Sequence, residues 1–432
     1  MDAEAITRAI IDRTDNRREA ILNTLDELVR INTVNPYSGD KNPGSEKPGQ
    51  QYLEPRLASI GLRTRMSPIR NDVYQAAGVL GPAGRAFEDR PNLIGEIAFL
   101  ASGPHLLLFA HMDTVGVDAM SIPPFEPVRK EGRIFGRGSS DDKSGITVAY
   151  HAMETLLSLD LPLRGKLTFA SVADEECDGG GAGLMSLCLD GLKPDAAVCL
   201  DGPASALFRG CNGVITGRIQ VPGVSAHASS PLGVSALEKA LVIREALETF
   251  RRERAEKTPS GLFNLGVLRA GNHPAMVPGS AEILFNLVYL HEEAAAAREE
   301  GLGYNGSFLR RRIETIVAEA GAQDAFLSRN PPSVSWVKDL PPFLTPETSP
   351  LLRQLRGGYT DMGIPEPEAR IAPFWTDASV FAKLASRDVI NFGSGAGTAH
   401  APDEYVEEET LVRNVKILAG VMARFFRAGG PD

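Results

Sequence analysis

Apolar residues recur at helical spacing through NRREAILNTLDELVRI, residues 16–31, and predict an amphipathic helix. The Pro- and Gly-rich stretch from Asn35 to Gly49 reads as a loop. Two short apolar runs, NLIGEIAFL and HLLLFA, the second ending at Ala110, read as strands. A helical run near residues 144–158 follows, then the strand KLTFASVA, a short helix near 182–190 and the strand AAVCLD. Strands alternating with helices predict an α/β unit around a mostly parallel sheet, in which ligands bind outside the carboxyl ends of the strands. His111, Glu176 and Asp201 all fall just after such ends.

The pattern changes after Cys211. GVITGRIQVPG alternates as a half-exposed strand, and residues 234–257 form a long amphipathic helical run with the basic tail RRERAEK. Strands at 262–268 and 281–290, a helix near 307–320 and the strand SVSWV complete a β-α-β-β-α-β order. That order predicts one antiparallel sheet with helices on one face. From Pro341 the α/β character returns and ends in an amphipathic helix near 407–426. The expected organisation is therefore a catalytic unit (residues 1–211 and 340–432) interrupted by an inserted α+β unit at 212–339.

A chain of 432 residues is long enough for two cores. Acidic residues outnumber basic ones by 55 to 45, which argues against a nucleic-acid partner or an anionic membrane surface. The longest apolar runs fall far short of a membrane span. MDAEAITRAI carries early acids and no basic start, so it does not read as a secretory signal. The four cysteines form no CxxC pair; reduced thiols in a cytoplasmic protein are expected, not a cysteine zinc site.

Chemistry concentrates in the polar residues that interrupt these apolar segments. They are His111 and Asp113 in FAHMDTV, Asp141 in GRGSSDDKSG, Glu175 and Glu176 in SVADEECDGG, Asp201 in CLDGP and His400 in TAHAPDEYV. Two imidazoles and several carboxylates suit zinc, manganese or cobalt without a thiolate. A pair of metals needs a bridging carboxylate. Asp141 is the natural bridge, leaving His111 and Asp201 for one metal and Glu176 and His400 for the other. Adjacent side chains on a strand point to opposite faces, but alternation breaks at a strand end, so both glutamates can serve one cavity. Glu176 would then bind metal while Glu175 acts as general base on the metal-activated water. Asp113, two residues after His111, is placed to hold that imidazole's other nitrogen.

Taken together and in this order, these motifs resemble the M20 family of metallopeptidases and amidohydrolases over nearly the whole chain. The resemblance implies His111, Asp141, Glu176, Asp201 and His400 as ligands of one or two divalent metals, Glu175 as general base and Asp113 as the partner of His111. The family's GRGxxD spacing selects Asp141 over Asp142. It also implies that the inserted unit is a lid through which the chain forms a homodimer or higher homo-oligomer. Within the lid, GVSAHASSP is similar to the family's GxxAHxxxP segment, which implies that His227 reaches a neighbouring subunit's site and stabilises the developing oxyanion. Arg370 and Trp375 precede TDAS, which is similar to a family segment near the site; lining the pocket is one reading, but packing or surface roles are expected first. His105, His151 and His291 match nothing.

Two positions depart from the family pattern. In HPAMVP, Ala275 stands where many members have asparagine, and in AEILFNLVYL, Val288 stands where many have a carboxylate-gripping arginine. The expected activity is hydrolysis of a C–N bond in a small molecule, foremost the amide of an N-acyl amino acid or short peptide. The alternatives are an aminohydrolase on an activated aromatic amine and a non-catalytic metal-binding protein of the same fold.

Overall fold

Residues 106–110 of the strand Ala101–His111 are fully buried, because the strand is covered on both faces. It lies between Arg164–Val172 and Ala196–Cys199, parallel to both. A parallel strand packed on both sides needs apolar side chains on both, hence the unbroken run LLLFA. Val389–Asn391 adds a further parallel strand beside Ala196–Cys199. Outward from this centre the pairing turns antiparallel, through Asn92–Ala98 and Arg63–Ser67 on one side. On the other side lie Leu207–Cys211 and Phe343–Leu344, with Ala369–Ala372 parallel to Leu207–Cys211. The result is a mixed, mostly parallel nine-stranded sheet. One face packs against Ala3–Asn16, Arg18–Val29, Lys143–Leu157, Pro350–Asp361 and Glu408–Arg427, the other against Ala182–Leu189 and Ala378–Leu384. This computed structural model describes all residues except Leu100, Ala119, 258–261 and 428–432, so the last residue of the predicted run NLIGEIAFL lies outside it.

After Asn212 the chain enters a second, wholly antiparallel sheet in the order Phe263–Ala270, Ser280–Tyr289, Gly213–Pro222, Ser333–Leu340. Ile215, Ile219, Val221, Phe285 and Leu287 alternate onto the face covered by helices Ala236–Lys257 and Ser307–Gln323. The opposite face carries Val214, Thr216, Asn286, Val288 and Lys338, placed side by side by the register.

Some elements depart from the sequence pattern. The predicted helix 16–31 forms as Arg18–Val29, but a separate helix that the pattern did not mark, Ala3–Asn16, precedes it across a break at Arg17. The predicted loop from Asn35 ends at Lys47, where helix Lys47–Ser59 begins. Pro48, Gly49 and Pro55 mask that helix, because local propensity opposes it. Packing overrides propensity there: a Cβ on Gly49 would sit 2.4 Å from Met112 Sδ. Among the described residues, no helix is long and apolar enough to cross a membrane.

Candidate active site

The carboxyl ends of the parallel strands share one edge of the sheet, and the singled-out acids and imidazoles gather there. His111 closes its strand, and its Nε2 lies 2.8 Å from Asp141 Oδ1. His400 reaches the other oxygen: its Nε2 is 3.4 Å from Asp141 Oδ2 and 2.9 Å from Glu176 Oε1. Ligand atoms of His111, Asp141 and Glu176 all lie within 4.8 Å of one another. Asp141, Glu175, Glu176, Asp201 and His400 line one cavity of about 430 Å³. Asp142 does something else, accepting a hydrogen bond from the His111 backbone N–H at 3.2 Å.

How two adjacent glutamates reach one cavity follows from the backbone. Asp174 and Cys177 take left-handed conformations (φ 66° and 55°), which ends strand alternation around the pair. The Asp113 carboxylate then pins the turn, accepting from Glu175 N at 3.2 Å and Glu176 N at 3.1 Å. Here the structure differs from the expected role. The Asp113 backbone carbonyl, not its carboxylate, faces His111 Nδ1, at 2.9 Å, while the carboxylate stands 3.8 Å away. Asn35 Nδ2 also donates to the Asp113 carboxylate at 2.7 Å, so that carboxylate is already committed to the glutamate turn.

The sequence reading missed several residues that build this region. Glu404, buried, accepts from Arg137 Nη1 at 2.6 Å and from the backbone N–H groups of Gly138, Ser140 and Asp141 at 3.0, 2.8 and 3.0 Å. It thereby shapes the turn that presents Asp141. Behind the glutamates, Asp174 pairs with Arg85 and Arg90, and Arg90 also pairs with Glu46. These residues sit in loops or at strand edges, where no periodicity marks them.

Acids outnumber cations here, and the electrostatics show it. Burial pushes Asp201 up to about 7, with the Asp141 charge adding to it. Burial also lifts Glu175 and Asp142 well above the ordinary carboxylate range. The charge of Glu176 raises His400 to about 11 against the effect of burial. So many buried carboxylates with nitrogen donors among them make a donor set that fits a divalent cation.

A model of the Peptidase family M20/M25/M40 matches residues 107–424. The chain belongs to the M20 family. It is therefore a metallohydrolase acting on C–N bonds, and the family uses a divalent metal. Over 96% of both chains it is 26% identical to the N-formyl-4-amino-5-aminomethyl-2-methylpyrimidine deformylase of Halalkalibacterium halodurans. It is also 26% identical to the succinyl-diaminopimelate desuccinylase of Alkalilimnicola ehrlichii, over 74% of this chain and 84% of that one. Among solved structures, human carnosine dipeptidase 1 has the same fold, with a TM-score of 0.72 at 14% identity, covering 96% of this chain and 98% of that one.

Of the other positions singled out by likeness to the M20 family, most stand apart from the acid cluster. His227 is exposed on the short strand Ala226–His227 and bonds to Ser229 Oγ at 2.7 Å, away from this chain's own cavity. Ala275 is exposed beside it. Val288 is 9% exposed and lies opposite Val214, which does line the cavity. Arg370 is solvent-facing and paired with Glu368, whereas Trp375 lines the cavity beside Phe374.

Proposed function

We propose that this M20 member is an amidohydrolase that releases an acyl group from the amide nitrogen of a small N-acyl amine or N-acyl amino acid. One observation carries the reading. Ligand atoms of His111, Asp141 and Glu176 converge at a cavity that Glu175 also lines, and among the described residues nothing holds the Glu175 carboxylate. Asp141 would bridge two metals, with His111 and Asp201 on one side and Glu176 and His400 on the other. Zinc, manganese or cobalt suits these nitrogen and oxygen donors. When bound, the metal supplies Lewis acidity at the scissile carbonyl and to the attacking water.

The chain's own groups handle the proton. Glu175 takes it from the attacking water and passes it to the leaving amine nitrogen; its raised pKa suits it to holding that proton between the two transfers. Asp113 and Asn35 keep the turn beneath it in place. His227 of a second copy would stabilise the oxyanion. Leu237, Leu241 and Val242, 40%, 49% and 39% exposed on the long helix of the second sheet, offer an apolar surface for that copy.

The cavity wall is apolar and aromatic at Val214, Pro203, Phe374 and Trp375. Together with Val288 in place of a carboxylate-gripping arginine, this favours an N-acyl amine that bears a ring. The name of the Halalkalibacterium relative, a deformylase of an aminopyrimidine, agrees with that preference. The test is amine release from a panel of N-formyl and N-acetyl amines and amino acids, before and after chelation and metal return. Turnover that survives verified metal removal refutes the reading.

A further inference from the structure

The same cavity contains an ion pair that the proposed hydrolysis does not use. Lys338 Nζ lies 3.0 Å from Asp178 Oδ1, and both residues line the cavity. Lys338 comes from the second sheet, on strand Ser333–Leu340, beside a register irregularity between Trp336 and Lys338. Asp178 follows the glutamate pair on the main sheet's side. Thr216 Oγ1 donates to the same Oδ1 at 3.0 Å, and Asn286 Nδ2 donates to Thr216 Oγ1 at 3.2 Å. The Lys338 side chain is 11% exposed and that of Asp178 43%, so the lysine is set into the wall and the aspartate reaches solvent. Lys338 is the only lysine or arginine among the described residues that line the cavity.

A lone ammonium in such a place would select an anion. This one is already neutralised, and a carboxylate laid against it would also meet Asp178, a like charge. What the pair presents is a donor next to an acceptor. Lys338 has three N–H donors with one directed at Asp178, and both bonds to Asp178 fall on Oδ1, leaving Oδ2 able to accept. Its complement is a neutral group with an acceptor and an N–H donor on neighbouring atoms. Phe374, Trp375 and Val214, on the same cavity, add apolar faces suited to a flat ring.

We propose that Lys338 and Asp178 form a specificity pair that reads the amidine edge of an amino-substituted nitrogen heterocycle, with the ring lying against Phe374 and Trp375. The ring nitrogen accepts from Lys338 and the amino group donates to Asp178. The assignment rests on reading this cavity as the hydrolytic site, and it says which part of the substrate the second sheet recognises.

Two measurements on the metal-loaded, full-length protein test it. The first is calorimetric titration with 2-aminopyridine, aniline and benzoate, in buffer alkaline enough to keep the pyridine neutral. Tighter binding of 2-aminopyridine by about tenfold to a hundredfold is expected, the worth of hydrogen bonds to charged groups. Lys338→Met and Asp178→Gly should each abolish the preference, and Lys338→Arg should keep part of it. Glycine is chosen because Asp178 has φ 66°, which glycine adopts freely. The second is kcat/KM on the N-formyl derivatives of an aminomethyl-2-aminopyridine, benzylamine and carboxybenzylamine. The aminopyridine-to-benzyl ratio should exceed unity in the wild type, mainly through KM, and fall to near unity in both variants. Because it is a ratio within each protein, general loss of active enzyme does not move it. Preference for benzoate and carboxybenzylamine, lost in Lys338→Met, would make Lys338 an anion anchor and overturn the pair. So would aminopyridine binding that survives in Lys338→Met but disappears on chelation, since that marks ligation to metal. Selective binding without turnover of any amide would uphold the pair and sink the hydrolase reading instead.

Discussion

Replacing Glu404 by glutamine should be among the most damaging single changes outside the acid cluster, although residue 404 does not line the cavity. The Arg137 and Glu404 side chains are 2% and 1% exposed and 2.6 Å apart. Glutamine keeps the volume and one acceptor, but it removes the charge facing a buried guanidinium. It also turns an N–H₂ donor toward backbone N–H donors of the Asp141 turn. Breaking a buried pair by removing one partner costs about 3–5 kcal/mol. That is a large share of the about 5–15 kcal/mol by which folded domains are stable. Because the turn carries Asp141, metal affinity should also fall, by about 10–100-fold, as it does when an outer partner of a ligand is lost. Adding Arg137→Met removes the orphaned charge, so the double variant should recover part of the loss, with a coupling of about 0.5–3 kcal/mol. Urea unfolding of the metal-free proteins gives the stability terms, and competition with a chromophoric chelator gives metal affinity. A Glu404→Gln cost below about 1 kcal/mol with additive behaviour in the double variant would show that this pair neither supports the turn nor carries a net charge–charge term.

Three further outcomes follow from the site. Glu175→Gln should keep its metal and lose about 10²–10⁴ in kcat, whereas Glu176→Gln should lose or weaken metal; elemental analysis beside kinetics checks both, and the reverse pattern would overturn the assignment of the pair. His227→Ala should lower kcat by about 10²–10³ with metal content intact, and mixed dimers with Glu175→Gln subunits should regain part of the activity; no recovery in verified heterodimers excludes action across subunits. Succinyl-diaminopimelate, N-acetylornithine and folate-type glutamates should be poor substrates, because Val288 offers no charge to a buried carboxylate; efficient turnover of these, unimproved by Val288→Arg, would show that this position does not set the preference.

The acid pair shows how far the chain's own pattern reaches. KLTFASVA announces a buried strand, and carboxylates that interrupt its end announce a site, because both signals are local. His111, Glu176 and Asp201 are legible for the same reason, each following a strand that periodicity predicts, whereas Asp141 and His400 lie in turns and are picked out by their likeness to the M20 motifs. Asp113 marks the boundary. Spacing alone makes it a partner of the neighbouring imidazole, but only the folded turn reveals that its carboxylate holds the backbone of Glu175 and Glu176.

What tertiary structure alone decided shares one property: the partners are far apart in sequence and lie in segments without a period. Arg137 and Glu404 are 267 residues apart, and Asn35 meets Asp113 across 78. Lys338 lies on the second sheet and Asp178 in the turn after the main-sheet strand Arg164–Val172, and no local pattern relates them. Strand and helix periodicity encodes which face of an element is buried, because burial of apolar area acts on each element as a whole. It does not encode which charge on one loop will neutralise which charge on another, since that depends on how the buried faces stack. The chain's pattern thus determined the two sheets, the edge where chemistry occurs and the kinds of donor found there. Packing of those sheets decided which side chains hold the donors in place and which ones line the cavity.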